Sequence, residues 1–425
     1  MHLSGFEILA ILAIGFQSFL LFLALFEPTL RYKISRAPSA PLDSEEFNKI
    51  LATLADSALH TNTKIDVLTN GENFYDAELA EIRNAKKSIN IEAYIFQKGE
   101  VTRRFVEALT ERARAGVKVN LVLDAIGSFA TWNTYFRDLM EAGGRVAWYH
   151  GFRWYELPRL NSRTHREIIV IDCEIAFVGG AGFADHWLIS KPKRPRWRDT
   201  VCRIEGDAVA SVQATFVENW LEASGELLTE DEYFCFNKAE SDSIALVIDS
   251  SLTSGQSTRA RMLFQTLIAS AKESIELTTP YFLPDKGLRD EMVRAVERGV
   301  KVVVICPGQH NDHLLTRRAS RRLYGVLLKA GAEIHEYKPS MIHTKSLVID
   351  GKWTVFGSTN LDHRSFSIND EVNVASNDKL LAARFGEDFA RDLAVSRKVN
   401  YSKWKRRPFL ERISEGFGRL IERQQ

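Results

Sequence analysis

The chain contains an internal duplication, and this repeat constrains its fold more than any other feature. The segment THREIIVID, which contains His165 and Asp172, recurs as IHTKSLVID, which contains His343 and Asp350. Earlier segments recur too: NAKKSINIEAYIF parallels SAKESIELTTPYF, and ARAGVKVNLVLD parallels VERGVKVVVICP. Each half therefore carries the same elements in the same order, which predicts two halves of the same fold.

Apolar strand patterns such as INIEAYIF alternate with helical patterns such as VTRRFVEALTERARA, in which Phe105, Leu109 and Ala113 recur at helical spacing. This alternation predicts an α/β fold, with each half an α/β sandwich. The predicted organisation is a transmembrane anchor at 1–30, a stalk at 31–44, a first half at 45–240, a second half at 241–400 and a basic amphipathic tail at 401–425.

The second copy of the motif carries the side chains for phosphoryl chemistry. His343 and Lys345 lie two residues apart beside a predicted strand, so both side chains can face one phosphate. Ser358 and Asn360 repeat this spacing after the next apolar run. A histidine, a cation and two hydrogen-bond donors suit a charged phosphoryl transition state and a covalent intermediate.

These motifs, with TPYFLPD at 279–285 and WRDTVCRIEG at 197–206, resemble the phospholipase D superfamily, and within it the bacterial cardiolipin synthases, over roughly residues 45–425. The resemblance implies an active site at the interface of two duplicated halves, with a phosphohistidine intermediate and no metal or cofactor. It implies that His165 and His343 share the chemistry, in an order that the sequence leaves open. The implied catalytic set also contains Lys345, Asp172, Asp350, and the orienting carboxylates Glu371 and Asp199, while Lys345, Ser358 and Asn360 would bind phosphate.

The first copy of the motif departs from this pattern. Glu167 stands where the family has lysine, and Gly182 where it has asparagine. A carboxylate near a phosphate repels it by about 1 kcal/mol in water and by more in a buried cleft, so we expect compensation by a nearby arginine. The candidates are Arg163, Arg166, Arg196 and Arg198, although Arg166 is predicted on the opposite strand face. Alternatively, Glu167 binds Lys345 or a polar headgroup, or the site is impaired.

The overall composition argues against a nucleic-acid partner, because a formal net charge of +1 gives no general affinity for polyanions. The four cysteines are scattered without a Cys-x-x-Cys pair. The sequence therefore predicts neither a zinc cluster nor a disulfide, and reduced thiols are expected.

The N-terminal segment indicates a membrane location. Residues 8–26 contain no charged side chain and would form roughly 28 Å of helix, about the thickness of a bilayer core. Arg31, Lys33 and Arg36 follow the segment and no Lys or Arg precedes it. The positive-inside rule then predicts a single-pass protein of the bacterial inner membrane with a cytoplasmic catalytic region.

The remaining features carry weaker expectations. In the tail, Lys403, Lys405, Arg406 and Arg407 surround Trp404 before an amphipathic pattern, which suits either a membrane surface or docking on the protein's own core. Tyr94 and Tyr281 are expected to pack in the core. The other motif-free histidines, expected to be structural or on the surface, are His150, His186, His310, His313, His335 and His363.

Together these features predict a membrane-anchored phosphatidyltransferase of the cardiolipin synthase type, with phospholipids as substrates and phosphatidylglycerol foremost among them. Two alternatives remain open at the level of sequence. One is a phospholipase D-type hydrolase, in which water replaces the acceptor lipid, and the other is a catalytically impaired lipid-binding protein. The oligomeric state is not predicted.

Overall fold

The computed structural model describes residues 4–25, 33–151, 161–192, 194–236, 243–250 and 259–408, and the single positions 239, 241 and 411. The helices are α1 (Gly5–Leu25), α2 (Glu45–Leu54), α3 (Gly71–Asn84), α4 (Glu100–Arg114), α5 (Arg137–Glu141), α6 (Ala208–Ser224), α7 (Arg259–Ser270), α8 (Lys286–Glu297), α9 (Leu314–Ala330), α10 (His363–Ser367), α11 (Lys379–Ala394) and α12 (Tyr401–Lys405). Two short 3₁₀ turns span Asn133–Phe136 and Asp185–Trp187.

The strands form two sheets. They are β1 (Thr63–Thr69), β2 (Ser88–Ala93), β3 (Lys118–Asp124), β4 (Arg145–Tyr149), β5 (Ile168–Ile171), β6 (Ile175–Gly179), β7 (Thr200–Gly206), β8 (Ala245–Ser250), β9 (Ser274–Thr278), β10 (Lys301–Pro307), β11 (Glu333–Tyr337), β12 (Ser346–Ile349), β13 (Trp353–Gly357), β14 (Glu371–Ser376) and β15 (Ser396–Lys398).

The first sheet has the order β1-β7-β6-β5-β2-β3-β4, and the second has the order β15-β11-β10-β9-β12-β13-β14-β8. Apart from the added edge strand β15, the second order repeats the first. In both sheets a parallel trio joined by helical crossovers meets an antiparallel set joined by tight turns. The predicted α/β fold and the duplication are thereby confirmed at the level of topology.

The two sheets pack against each other through apolar side chains of both halves. Ile168 and Val178 of the first half belong to the same buried cluster as Val348, Phe356 and Phe385 of the second. Strands β5 and β12, which follow the two motif histidines, both contribute to this cluster. Burial of this shared core fixes the histidine-bearing ends of the two strands relative to each other.

Helix α2 precedes the first sheet in the chain but packs on the second half. Phe47 meets Trp353 edge to face, with ring centroids 6.0 Å apart. The Trp353 indole donates a hydrogen bond to the Leu42 carbonyl, at 2.7 Å. The amphipathic pattern of α2 thus buries Phe47 and Leu51 in the core of the second half. Helix α2 therefore packs on the half that lies further along the chain.

The expectation of reduced thiols is wrong for one pair of cysteines. Cys173 and Cys235 form a disulfide, with Cα atoms 5.6 Å apart, whereas Cys202 and Cys306 are free and buried. This pair could not be recognised in the sequence because the two cysteines lie 62 positions apart in separate loops and are brought together only by the fold. The disulfide ties the turn after β5 to the segment that leads into the second half.

The two ends of the chain are described only in part. Within the part of the chain that the structure describes, no helix is both long and apolar enough to cross a membrane. The predicted amphipathic stretch at 409–421 lies outside the described residues except for position 411. The start of the tail docks on the protein itself, because the Trp404 indole donates to the Arg321 carbonyl of α9 at 2.8 Å.

Candidate active site

The two motif histidines lie where the halves exchange backbone hydrogen bonds. The His165 N–H donates to the Asp370 carbonyl at 2.8 Å, and the His343 N–H donates to the Arg198 carbonyl at 2.7 Å. Each histidine-bearing segment is therefore paired with a segment of the other half, as the parallel bridges Thr164–Asp370 and Arg198–Ile342 also record. This exchange brings the next residue of each partner segment, Glu371 or Asp199, to the histidine.

Each histidine is held by a carboxylate of the opposite half. His343 Nδ1 lies 2.8 Å from an Asp199 carboxylate oxygen, and His165 Nδ1 lies 3.1 Å from a Glu371 carboxylate oxygen. Burial raises the pKa of both carboxyls, but the facing histidines outweigh it and hold both below their ordinary values. The ionised carboxylates accept from Nδ1 and leave Nε2 of each ring for chemistry.

Lys345 is the buried cation of the site. Its Nζ donates to the His343 carbonyl at 2.9 Å and lies 3.1 Å from His343 Nε2. Burial lowers the pKa of both Lys345 and His343, and for His343 the lysine charge adds to the effect. The side chain crosses to the first half, where a Cβ added to Gly180 would lie 2.8 Å from Nζ. Only glycine at position 180 leaves this room.

The two predicted phosphate donors of the second half differ in their surroundings. The Ser358 hydroxyl donates to Glu371 at 2.5 Å and accepts from the Val372 N–H at 3.0 Å. Ser358 therefore supports the carboxylate that holds His165, and its assignment as a phosphate ligand is corrected because its hydroxyl is already used. By contrast, Oδ1 of the buried Asn360 has no hydrogen-bond partner among the described residues.

The motif aspartates are structural, which corrects their place in the predicted catalytic set. The Asp172 carboxylate accepts the N–H groups of Lys86, Lys87 and Ser88, at 2.6–2.9 Å. Asp350 accepts three equivalent N–H groups before β9, at 2.8–2.9 Å. Both aspartates lie at the far ends of β5 and β12 from the histidines and satisfy the backbone of a neighbouring turn.

Glu167 does not repel a phosphate in the way that the sequence suggests. Its Oε1 accepts weakly from the N–H groups of Tyr94 and Ile95, at 3.2 and 3.3 Å. Burial raises its pKa well above the usual range, which disfavours the charged form of the carboxyl. A Cβ at Gly182 would lie 2.8 Å from Oε1 and equally close to the Ile95 carbonyl oxygen, so both Glu167 and the neighbouring backbone occupy the space that a side chain there would need.

The arginines proposed to compensate Glu167 are engaged elsewhere, so that expectation is wrong. Arg198 pairs with Asp388 and Asp392, and Arg196 pairs with Glu72. Arg166 lies on the opposite strand face, as predicted, and binds the Thr215 carbonyl and Glu218. The remaining candidate, Arg163, binds two backbone carbonyls and faces Asp124. Burial raises the pKa of Glu167 and so disfavours its charged form, which reduces the need for a compensating cation.

Aromatic side chains around the histidines were not assigned to the site from sequence. The Trp187 and Trp197 rings lie 5.5 and 5.3 Å from the His343 ring, and the Trp187 indole donates to Asp199 at 3.0 Å. The Tyr94 ring lies 5.4 Å from His165. Of these aromatic residues, only Trp197 could have been found from the sequence, because it is the first residue of the WRD segment. These rings shield the histidine–carboxylate pairs from water and strengthen them.

The described residues contain no group of three or more His, Cys, Asp or Glu side chains arranged to hold a metal ion. The arrangement that they do form has two imidazoles, each oriented by a carboxylate at Nδ1, with the Lys345 cation beside His343 and the Asn360 amide nearby. Such a set can attack phosphorus with one imidazole and move a proton with the other. The fold and site thus define the class of two-histidine phosphodiester-transferring enzymes.

Comparison with known proteins identifies the family within this class. Residues 79–194 and 264–393 match the model of the cardiolipin synthase, phospholipase D-like domain. The chain is 32% identical over 384 residues to the major cardiolipin synthase of Bacillus subtilis, covering 90% of this chain and 80% of that one. It is 33% identical over 376 residues to cardiolipin synthase 1 of Bacillus anthracis, covering 86% and 73% of the two chains.

Among solved structures, phosphatidylserine synthase from Haemophilus influenzae has the same fold, with a TM-score of 0.69 over 89% of this chain and 99% of that one at 15% identity. Polyphosphate kinase from Porphyromonas gingivalis gives a TM-score of 0.54 at 12% identity, covering 84% and 53% of the two chains. The chain belongs to the cardiolipin synthase family of the phospholipase D superfamily, and it is an enzyme of the phosphatidyltransferase type.

Proposed function

We propose that the protein transfers a phosphatidyl group from one phosphatidylglycerol molecule to another, forming cardiolipin and releasing glycerol. The observation that carries this proposal is the pair of histidines, each held by a buried carboxylate of the opposite half. Two oriented imidazoles supply the nucleophile and the proton carrier that a two-step transfer needs. The family relatives named as cardiolipin synthases support the substrate class.

We assign the nucleophile to His165. Its Nε2 attacks phosphorus, the bond between phosphorus and the glycerol oxygen breaks, and His343 gives a proton to that oxygen. In the second step His343 takes the proton from the acceptor hydroxyl, whose oxygen bonds to phosphorus as the bond to His165 breaks. The lowered pKa of His343 suits the base of this second step, and a bound anionic phosphate would raise it for the first.

Lys345 and Asn360 then bind the non-bridging phosphate oxygens. Lys345 is buried between the halves, and Asn360 is buried as well, with a side-chain Nδ2 group that can donate to a phosphate oxygen. Fixed donors at the place where charge develops stabilise the transition state more than mobile water does. Burial raises the pKa of Glu167 and so disfavours a carboxylate that would cancel the Lys345 charge, which weighs against the reading of the protein as a catalytically impaired homologue.

The protein acts at the membrane in this proposal, with the uncharged N-terminal sequence segment 8–26 as a single-pass anchor. Apolar side chains of α1 such as Leu9, Leu12 and Phe16 are exposed, as expected for a helix that contacts lipid. The basic residues after α1 favour a cytoplasmic catalytic region. The Cys173–Cys235 disulfide weighs against this orientation, because disulfides persist in oxidising compartments. Labelling of an engineered surface cysteine in whole cells and in opened cells decides the orientation.

A lipid-product assay tests the proposed activity. The purified full chain is incubated in mixed micelles with phosphatidylglycerol, and the lipids are identified by mass spectrometry. Cardiolipin and glycerol should appear with the unmodified protein and with His60→Ala, a control histidine that contacts Ser211 at 2.9 Å, but not with His343→Ala. Phosphatidic acid as the sole product would establish the hydrolase instead, and lipid binding without any product would establish the impaired homologue.

A further inference from the structure

A polar cleft lies between the halves on the His343 side of the site, with a volume of about 660 Å³. First-half residues around His186 and Trp197 line one side, and second-half residues around Asp312 and Met341 line the other. The cleft reaches the catalytic histidine through Trp197, whose ring lies 5.3 Å from the His343 ring. A group bound in this cleft is therefore next to the proposed proton carrier.

Three cations on one side of the cleft have no carboxylate partner. Lys98, Lys191 and Arg194 are exposed and form no ion pair with any described residue. The cleft's two carboxylates are otherwise engaged: Asp185 accepts from the Val101 N–H at 2.9 Å, and Asp312 accepts from the Tyr281 hydroxyl at 2.5 Å. With three cations against two carboxylates, the lining of the cleft carries a net positive formal charge, which attracts an anion.

His186 provides a second, different recognition element in the cleft. Its ring lies between Trp187 and Trp197, at 4.2 and 4.1 Å, and its buried Nε2 has no partner among the described residues. Burial, with a contribution from nearby His343, lowers the pKa of His186 to about 4, so the ring is neutral at neutral pH. A neutral imidazole nitrogen suits a hydroxyl better than a second phosphate.

We propose that this cleft is the acceptor subsite, in which Lys98, Lys191 and Arg194 bind the phosphate of the incoming anionic phospholipid and His186 binds a hydroxyl of its glycerol headgroup. This inference rests on the proposed transfer function. It explains how the acceptor lipid competes with water for the phosphohistidine intermediate. The cations retain the acceptor's own phosphate, and the glycerol hydroxyl then reaches the phosphohistidine beside His343. The ratio of cardiolipin to phosphatidic acid is set in this cleft.

The product ratio of a double variant tests the subsite. In Lys191→Ala/Arg194→Ala we expect the ratio of cardiolipin to phosphatidic acid to fall about tenfold, because charge-assisted contacts to the acceptor are lost. The matched control is Lys118→Ala/Lys272→Ala, which removes two exposed cations that form no ion pair with described residues and lie at the opposite ends of the sheets. An unchanged ratio, or an equal fall in both products, overturns the proposal.

A binding experiment separates failure of the subsite from failure of the proposed function. Calorimetry with soluble glycerol 1-phosphate and with inorganic phosphate needs no turnover. We expect glycerol phosphate to bind at least about fivefold more tightly than phosphate, and His186→Phe, which keeps the ring between the tryptophans, to remove this difference. Equal binding of the two anions to the unmodified protein would refute recognition of the glycerol headgroup, whether or not cardiolipin is made.

Discussion

The two copies of the motif occupy equivalent places at the interface but differ in charge. The second copy supplies Lys345, a buried cation in contact with His343. The first copy has Glu167 at the equivalent position, where burial raises the pKa of the carboxyl well above its usual range and so disfavours a negative charge. The comparison teaches that a duplicated site can lose one of its two cations without gaining a repulsive charge. One lysine between the halves then serves the whole site.

The glycines of the first copy explain how this asymmetry is accommodated. Gly180 and Gly182 stand where the second copy has Ser358 and Asn360. The space above Gly180 is taken by the Lys345 side chain, and the space above Gly182 by Glu167. A side chain at either glycine would displace one of these groups. At Gly182 the Ile95 carbonyl would stand in the way as well, whereas at Gly180 the flexible Lys345 side chain would have to shift.

The largest effect on kcat is expected for substitutions of the two histidines, to which we assign different roles in the reaction. His165→Ala and His343→Ala should each lower kcat for phosphatidylglycerol at least about a thousandfold. A phosphatidyl ester of p-nitrophenol needs no proton on its leaving group, so His343→Ala should recover at least about tenfold with it. The activity of His165→Ala should not recover with this ester. Initial rates of nitrophenol release measure both, and recovery by His165→Ala alone would reverse the assignment.

The next largest effect on kcat is expected at Lys345 of the second copy, in contrast to Glu167 of the first copy. Lys345→Met should lower kcat about a hundredfold, because a fixed cation is lost at the developing charge. Glu167→Gln, which keeps a neutral acceptor of the same size, should change kcat by less than about threefold. Lys352→Met, which removes a lysine that pairs with Asp43 on the surface, is the control. A large loss in Glu167→Gln would mean that the Glu167 proton takes part in the reaction.

Restoring the family lysine should not repair the first copy. Glu167→Lys is expected to lower kcat about tenfold and the free energy of unfolding by about 1–3 kcal/mol, because an ammonium group would face the Tyr94 and Ile95 N–H donors without an acceptor. It would also place a second charge near Lys345. Denaturant unfolding and the lipid assay measure the two effects, and a rise in kcat would show that the natural site is an attenuated one.

The smallest effect concerns pH and stability. A carboxyl whose pKa is raised on folding stays protonated in the native state while the unfolded chain loses its proton above about pH 4.5. The free energy of unfolding therefore falls with rising pH until the folded pKa is reached, by at most about 1.4 kcal/mol per pH unit. Glu167→Gln removes this loss, so its stability advantage should grow between pH 5 and pH 8. The exposed control Glu111→Gln should show no such trend.

Much of the fold follows from the sequence because the repeat and the alternating apolar segments are local patterns. The histidine motifs and the WRD and NDE segments likewise identified the orienting carboxylates Asp199 and Glu371 by resemblance. The fit between Glu167 and Gly182 could not be predicted, since it depends on a side chain filling the space above a distant glycine. The anchoring of Asp172 and Asp350 by backbone N–H groups, and the disulfide between Cys173 and Cys235, also depend on contacts that only the folded chain creates.

The assignment of the nucleophile to His165 and of the proton carrier to His343 is tested most directly by locating the covalent intermediate. The full chain is mixed with phosphatidylglycerol in micelles, quenched in alkali within the first turnover, digested and sequenced by mass spectrometry, with His165→Ala and His343→Ala measured in parallel. We expect phosphatidyl-histidine at His165 in the unmodified protein, and also in His343→Ala treated with the nitrophenyl ester. An adduct at His343, formed also in His165→Ala, would contradict this assignment.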